Sequence, residues 1–415
     1  MNNYDIVVVG GGSAGLAAAI EANKNGIEKV LLIERDIELG GILLQCIHNG
    51  FGLKVFKEEL TGPEYAERFV NELKDMGIEF KLNTLVTKIN PDKTVEYANA
   101  EEGFIQIQAK AIILTMGCYE RSAGAINIPG NRPSGILTAG TAQKYLNIDG
   151  YLVGKRVFIL GSGDIGLIMA RRMTLEGAKV LGVAELQPYS GGLTRNIVQC
   201  LEDYDIPLYL SHTVSKIVGD SKLEKIVVSK VDGFTPIPGT EMEFEVDALL
   251  LSIGLIPENG LSEAAGILID NRTKGAIVNE SYETSVEGIF ACGNVLHVHD
   301  LVDFVTAESR RAGVAAAKYI KNELIKGKSF ETKPLKGINY IVPNKVNIDN
   351  LDDKLELFMR VDAVYKDVVI NVYGDGTLIK TMKKKHLAPA EMESVKLKVS
   401  EISNIKDCIE IEVLV

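Results

Sequence analysis

A glycine-rich segment with one internal spacing occurs twice in this chain of 415 residues. The first copy begins at Gly10 and the second at Gly161, and both read Gly-x-Gly-x-x-Gly. Each copy follows a short apolar run typical of a buried strand and precedes a helical pattern. A second apolar run then ends in an acid, Glu34 or Glu185, at the same distance from the first glycine. The sequence therefore predicts two strand–turn–helix–strand–acid units.

Each position of this fingerprint has a chemical reason. The first glycine makes a tight turn, the second lets a diphosphate approach the backbone, and the third lets helix and strand pack closely. The diphosphate then lies on the free amides of a helix N-terminus. Glu34 and Glu185 can accept hydrogen bonds from ribose hydroxyls, and a carboxylate at Glu185 would repel a 2′-phosphate. One such turn can occur without a ligand, but two complete units predict two dinucleotide sites, the second for NAD rather than NADP.

Composition limits the classes of function. A net charge of −11 argues against a nucleic-acid partner and against anionic membrane surfaces. No apolar run is long enough to span a bilayer, and no signal peptide is visible, so a cytoplasmic protein is expected. The five cysteines are too far apart in sequence for a CxxC, zinc or iron–sulfur pattern. A homo-oligomer is left open.

The order of motifs predicts an α/β protein with two Rossmann-like dinucleotide-binding domains and a small C-terminal all-β domain. The first domain is expected to comprise residues 1–150 and 247–327, interrupted by the second at residues 151–246. Residues 330–415 alternate between apolar and polar side chains like strands, and Asp375-Gly376 is typical of a hairpin turn.

With these motifs placed, residues 4–325 resemble the two-dinucleotide-binding-domain flavoproteins, the pyridine nucleotide–disulfide oxidoreductase class. The resemblance implies FAD at the first fingerprint and NAD(H) at the second. Residues 284–294 match the second FAD motif of the class, but this chain ends the motif in Gly293-Asn294 where the class usually has Gly-Asp. Asparagine keeps an acceptor oxygen, so a hydrogen bond to the ribityl chain is still expected.

The fingerprints and the resemblance together predict the cofactor contacts. The predicted FAD contacts are Gly10, Gly12, Ser13, Ala14, Gly15, Glu34, Arg35, Gly41, Val86, Thr115, Gly117, Gly293 and Asn294. The predicted NAD contacts are Gly161, Gly163, Asp164, Ile165, Gly166, Glu185 and Gly254.

Three segments, residues 41–52, 193–203 and 293–305, are similar to one subfamily of FAD subunits. It includes subunits of opine oxidases, hydrogen cyanide synthase and multi-subunit proline dehydrogenases, and oxidoreductases found alongside glycerol-3-phosphate dehydrogenases. This similarity implies an electron-transfer component that exchanges hydride between NAD(H) and FAD and works with a partner dehydrogenase or oxidase subunit. Several relatives carry a cysteine-rich ferredoxin-like segment that this chain lacks, so no iron–sulfur cluster is implied.

Cys46 carries the alternative function. It lies five positions after Gly41, where disulfide reductases of the class place a Cys-x4-Cys pair, but residues 47–51 contain no second cysteine. A self-contained NADH oxidase, peroxidase or disulfide reductase would use Cys46 as a single thiolate, with His48 stabilising it or passing a proton. In the other interpretation Cys46 only packs beneath the flavin, because an unpaired cysteine is usually buried.

His297 and His299 raise the question of a metal. Their spacing is not that of a helical zinc pair, and no third ligand is obvious in the sequence. The family resemblance implies that this stretch lies next to the ring end of the flavin, so we expect these histidines to shape that pocket, and no metal is predicted. Glu308 either faces the same pocket or is a solvated charge on a helix.

Overall fold

The computed structural model describes residues 3–414. The chain divides into two compact units: one contains the residues before Tyr119 and those after Ile256, and the other contains Tyr119–Ile256. Each unit is described separately. None of the helices in the described range has both the length and the apolar composition needed to cross a membrane.

The first part of the larger unit is a layered α/β structure. Its elements are β1 (Asn3–Val9), α1 (Ser13–Lys24), β2 (Val30–Ile33), β3 (Asn49–Phe51), β4 (Leu60–Thr61), α2 (Gly62–Asp75), β5 (Glu79–Lys81), β6 (Leu85–Ile89), β7 (Thr94–Asn99) and β8 (Gly103–Leu114). The main sheet has the order β5-β2-β1-β8-β7-β6. Strands β1, β2, β5 and β8 are parallel, whereas β6 and β7 add an antiparallel edge. Strand β2 is buried throughout because parallel sheets are covered on both faces.

The smaller unit repeats this plan. Its elements are β9 (Cys118–Glu120), α3 (Ala123–Ile126), β10 (Ile136–Thr138), α4 (Ala139–Asn147), β11 (Arg156–Leu160), α5 (Asp164–Leu175), β12 (Lys179–Glu185), α6 (Thr194–Cys200), β13 (Leu208–Leu210), β14 (His212–Val218), β15 (Lys225–Asp232), β16 (Thr235–Pro236), β17 (Met242–Glu245), β18 (Ala248–Leu251) and β19 (Leu255–Pro257). The parallel sheet has the order β10-β18-β11-β12-β13, and β14, β15 and β17 form an antiparallel sheet.

The limits of the smaller unit differ from the expected residues 151 and 246. Strand β10 pairs in register with β18, so Ile136 lies opposite Leu249. Ala139 and Ala142 of α4 belong to the same hydrophobic core as Val157. The segment before residue 150 therefore belongs with the second sheet, because its apolar residues are buried there.

The chain then returns to the larger unit. The elements are α7 (Gly260–Ala264), β20 (Ile289–Ala291), α8 (Val302–Ile320), β21 (Phe330–Pro334), β22 (Ile338–Val342), β23 (Lys345–Val346), β24 (Lys354–Val361), β25 (Tyr365–Gly374), β26 (Thr377–Leu387), β27 (Glu393–Lys398), α9 (Val399–Ile402) and β28 (Cys408–Leu414). Strand β20 joins the first sheet beside β8. Helix α8 packs closely on α1 at Gly313, where a Cβ would lie only 2.5 Å from the Ala18 carbonyl oxygen.

The C-terminal strands form two further sheets around their own apolar core. The sheet orders are β23-β21-β28-β25-β26 and β22-β24-β27. Asp375 and Gly376 join β25 to β26, and their φ angles of 48° and 75° are those of the tight hairpin turn that the sequence predicts. Strands thus dominate this region, with α9 and a 3₁₀ turn (Ile348–Asn350) as its helical segments, and the region belongs to the larger compact unit.

Candidate functional site

The first fingerprint requires glycine at two positions for steric reasons. Gly10 has a φ of +106°, and a Cβ there would lie 2.5 Å from the Thr115 carbonyl oxygen. A Cβ at Gly15 would lie 1.8 Å from the Gly10 carbonyl oxygen. The loop thus packs against the end of β8 on one side and against its own helix on the other. Thr115 reinforces this contact, since its hydroxyl donates to the carbonyls of Val9 (2.8 Å) and Gly10 (2.9 Å).

The middle glycine has a different environment. A Cβ at Gly12 would meet nothing closer than the Gly41 Cα at 4.0 Å. Gly12 is the N-cap of α1, and no side chain caps the first turn, which begins with Ser13 and Ala14. The first-turn amides of a helix lack intrahelical partners, so this end suits an anion such as a diphosphate.

Glu34 ties the second strand to the glycine loop. Its side chain is buried, and its Oε2 accepts the amide of Gly11 at 2.6 Å. Its Oε1 accepts the amide of Asp36 at 2.8 Å. Both carboxylate oxygens are therefore held at the end of β2, beside the loop that the fingerprint builds.

The second fingerprint reproduces this geometry. Gly161 has a φ of +99°, and a Cβ there would lie 2.0 Å from the Ser252 carbonyl oxygen. Gly163 is the N-cap of α5, again without a side-chain cap. Glu185 accepts the amide of Ser162 (2.9 Å) through Oε2 and that of Gln187 (2.9 Å) through Oε1. The repeat in the sequence is thus a repeat in hydrogen bonding as well.

The two units share one feature that motif reasoning missed in the second. Gly40-Gly41 follows Glu34 at the spacing by which Gly191-Gly192 follows Glu185. Each pair covers its fingerprint: the Gly40 amide donates to the Gly11 carbonyl (2.9 Å), and the Gly191 amide donates to the Ser162 hydroxyl (2.9 Å). The signal was present in the sequence as an extension of the repeat.

Asp164 and Ile165, two of the predicted NAD contacts, lie in the first turn of α5. However, the Asp164 Oδ1 accepts the Leu193 amide (2.9 Å) and the Asn196 side-chain amide (2.6 Å). Asp164 therefore holds the start of α6 close to the second fingerprint. The third glycine, Gly166, packs as its counterpart does, with a hypothetical Cβ 2.6 Å from the Gly161 carbonyl oxygen.

The second predicted FAD motif lies against the first fingerprint helix. A Cβ at Gly293 would lie 2.7 Å from the Cβ of Ala14. The Asn294 Oδ1 accepts the amide of His299 (3.0 Å), and its Nδ2 lies 3.7 Å from the Cys118 sulfur. The tertiary structure thus brings together two motifs that are far apart in the sequence.

The remaining predicted residues are distributed around these loops. Gly117 and Gly254 follow β8 and β18, and both have positive φ angles, of 76° and 103°. Val86 lies on β6, two residues after Thr84, whose amide donates to the Glu34 carbonyl (3.0 Å). Arg35 is exposed beside Glu34.

Cys46 lies between a 3₁₀ turn (Gly41–Gln45) and the start of α2. Its carbonyl accepts the Gly62 amide (2.8 Å), and its Sγ lies 3.3 Å from the Ile42 carbonyl oxygen. Burial raises the pKa of the Cys46 thiol to about 12. The His48 ring lies 5.0 Å from the Phe51 ring, measured between centroids, and is tilted by 50° from its plane.

Of the two expectations for Glu308, a solvated charge on a helix is wrong. Glu308 is fully buried rather than solvated. Its Oε2 lies 2.8 Å from the His297 Nε2, and its Oε1 lies 3.2 Å from the His299 Nε2. The Gly293 amide also donates to Oε1, at 2.7 Å. Helix α8 thereby places a carboxylate between the two histidines.

These observations agree with the comparisons made against known proteins. The family model described as "Pyridine nucleotide-disulphide oxidoreductase" matches residues 4–319. The chain belongs to this family. It is 26% identical over 298 residues to a thioredoxin reductase of Bacillus subtilis, covering 70% of this chain and 86% of that protein. It is 25% identical over 316 residues to one of the opine oxidase subunits of Agrobacterium tumefaciens, covering 70% of this chain and 61% of that protein.

The fold of this oxidoreductase is also shared with a solved structure. The crystal structure of T. acidophilum thioredoxin reductase superimposes with a TM-score of 0.63 at 24% identity, covering 77% of this chain and 99% of that chain. At 24% identity, this similarity establishes a shared fold only. Family membership makes the protein an FAD-containing enzyme that uses a nicotinamide cofactor.

The first fingerprint of this family member fits an FAD diphosphate. The open space beside Gly12, the uncapped start of α1 and the nearby Glu34 provide a backbone cradle and a ribose acceptor. FAD supplies the redox chemistry when it is bound, and the protein supplies binding and orientation.

Electrostatics near Gly293 are set by buried groups. Burial lowers the pKa of His297. Burial opposes the charged form of Glu308, but His297 and His299 hold the pKa of this carboxyl well below its usual value. A fully buried carboxylate therefore lies one hydrogen bond from Gly293.

Proposed function

We propose that the protein transfers a hydride between NAD(H) and FAD, with FAD on the Gly10 fingerprint and the nicotinamide cofactor on the Gly161 fingerprint. The observation that carries this proposal is the repeated site: a glycine turn, an uncapped helix and a buried acid bonded to the loop. Hydride transfer from nicotinamide to flavin needs no side-chain nucleophile. The protein's contribution is to hold the reacting rings in place.

The preference for NADH over NADPH rests on Glu185. Its side chain is buried and both oxygens are fixed by hydrogen bonds from Ser162 and Gln187. A 2′-phosphate beside this carboxylate would add like charge in a region that is poorly screened by solvent. The ribose hydroxyls of NADH would instead donate hydrogen bonds to it.

For the acceptor of the electrons, the relatives favour a disulfide, the alternative raised by the sequence. Several relatives are named thioredoxin reductases. In such a reaction the two electrons of reduced FAD, with two protons, convert one disulfide into two thiols. Cys46 is the cysteine expected beside the flavin. Its thiolate would attack one sulfur of the substrate disulfide and form a mixed disulfide, while the other half of the substrate leaves as a thiol. The two electrons of reduced FAD, with protons, would then cleave the mixed disulfide into the Cys46 thiol and the second product thiol.

A second candidate is an electron-transfer component that passes electrons to a partner dehydrogenase or oxidase subunit. The observation that favours it is the buried Cys46, whose thiol pKa of about 12 disfavours the reactive thiolate. The relationship to the opine oxidase protein is consistent with this role.

Anaerobic reduction of the purified yellow protein tests the shared half-reaction. We expect NADH to bleach the flavin faster than NADPH does. A flavin that NADH cannot reduce, or that NADPH reduces faster, would refute the assignment of the second site.

Cys46→Ser separates the two acceptors. If a disulfide is the acceptor, the variant loses NADH-driven reduction of thioredoxin and of low-molecular-weight disulfides but keeps NADH-to-dye transfer. If wild type and variant reduce no disulfide and transfer electrons to dyes equally, the partner-subunit function is supported instead.

A further inference from the structure

The buried cluster of His297, His299 and Glu308 has the composition of a metal site. The two histidines follow a 3₁₀ turn (Gly293–Val295), and Glu308 reaches them from α8. Their side chains are almost completely buried, with relative exposures of 1%, 0% and 0%. We propose that these residues bind one divalent transition-metal ion of the zinc or iron(II) class.

The geometry of the cluster suits one ion. The imidazole and carboxylate ligand atoms all lie within 4.8 Å of one another. Each carboxylate oxygen faces a different Nε2, at 2.8 Å and 3.2 Å. Zinc binds histidine nitrogen and carboxylate oxygen at about 2.0–2.2 Å, so neighbouring ligand atoms in a site stand roughly 3 Å apart. Two imidazoles and both carboxylate oxygens can therefore surround one ion with little movement.

The charge of the cluster also calls for a cation. A buried carboxylate is costly unless a positive charge is paired with it. Within residues 3–414 the ion pairs of Glu308 involve only the two histidines. The nearby Arg360 is held by Asp300 and by the Val298 carbonyl. Arg311 acts on Glu308 electrostatically, but its ion pair is with Glu356. A divalent ion bound between the imidazoles and the carboxylate would neutralise Glu308 directly.

The surroundings support a closed site. The Gly293 amide donates to the Glu308 Oε1 (2.7 Å), which is the type of outer contact that orients a ligating carboxylate. Phe358 of the C-terminal strands covers both imidazoles, with ring centroids 5.8 Å and 6.1 Å away. Neutral imidazole and carboxylate together suit zinc and iron(II) rather than calcium or magnesium. The ion would fix the loop that carries Gly293 and Asn294 on α8.

The direct test is the metal content of the purified full-length protein with its flavin bound. Cells are grown with added zinc, iron and manganese, and metal per chain is measured by mass spectrometry. We expect about one ion per chain, falling below about one tenth in Glu308→Gln and in the double variant of both histidines to alanine. His386→Ala, which changes an exposed histidine on β26, is the matched control and should keep its ion.

A second measurement does not depend on the variants folding. After treatment with a chelator, wild-type protein is titrated with Co²⁺ alone and followed by the visible bands of bound cobalt. Saturation at one equivalent, competed by Zn²⁺, supports the site. Less than one tenth of an ion per chain together with no cobalt bands overturns the proposal, and so does an ion that folded Glu308→Gln retains in full.

Discussion

Asp303→Asn should loosen one loop of the larger unit by a predictable amount. Asp303 is buried at the start of α8 and accepts three backbone amides from one segment: Gly52 (3.2 Å), Lys54 (3.0 Å) and Val55 (2.8 Å). Asparagine has one acceptor oxygen, so its amide group would face the amide of Gly52, and two donors would oppose each other. The side chain would also lose its negative charge at a helix N-terminus.

The magnitude follows from these contacts. A hydrogen bond to a charged group contributes about 1.5–3 kcal/mol, and the lost charge at the helix start costs a further 0.3–1 kcal/mol, approximately. We therefore expect segment 52–55 to open more easily by about 3 kcal/mol, which corresponds to roughly a 100-fold change in its opening equilibrium.

Hydrogen exchange measured by mass spectrometry reads this segment directly. Peptides covering residues 49–56 should exchange about 100-fold faster in Asp303→Asn, with β1 and β8 unchanged. Asp92→Asn removes an aspartate that accepts the Thr94 amide (3.0 Å) in a different turn, and it should leave residues 49–56 as in the wild type. Exchange in this segment within threefold of wild type would refute the view that Asp303 organises it.

Four further predictions concern Gly15, Cys46 and Glu185. Gly15→Ala should lose bound flavin, because the new Cβ would collide with the Gly10 carbonyl oxygen. Gly124→Ala is the control and should keep its flavin, because a Cβ there has only one neighbouring atom within 4 Å; absorbance at the flavin band measures both. Native Cys46 should react with iodoacetamide at pH 8 at least about 100-fold more slowly than in urea, because its thiol pKa is about 12. Because folding raises the pKa of the Cys46 thiol, the free energy of unfolding should fall from about pH 8.5 upward, and it should fall less in Cys46→Ala. Denaturant titration at several pH values measures this, and an equal pH dependence in the two proteins would contradict burial as the cause. Glu185→Ala should lower the ratio of the flavin reduction rates with NADH and with NADPH by about tenfold or more in stopped-flow measurements. A tenfold change corresponds to the loss of about 1.4 kcal/mol of discrimination against the 2′-phosphate. An unchanged ratio would mean that Glu185 does not select the cofactor.

Much of the layered architecture could be predicted from the sequence because its signals are local. The two fingerprints place their glycines within six positions, and the tight-turn, close-packing and helix-start requirements act over that same distance. The Asp375-Gly376 hairpin is local for the same reason, since both residues adopt the positive φ that this turn demands. The family resemblance rests on these short patterns.

The surroundings of the site were decided by packing between distant segments. Whether Glu308 is solvated or buried depends on which face of α8 meets the histidine loop, and helical spacing alone cannot settle that. Asp303 and its three amides are some 250 positions apart, so no sequence window contains both partners. The smaller unit begins at Tyr119 rather than at the expected residue 151, because β10 pairs with β18, which lies more than 100 residues later in the chain. Local spacing determined the two nucleotide loops, whereas long-range burial decided what lies against them, because a side chain's partners are fixed only when the whole core is packed.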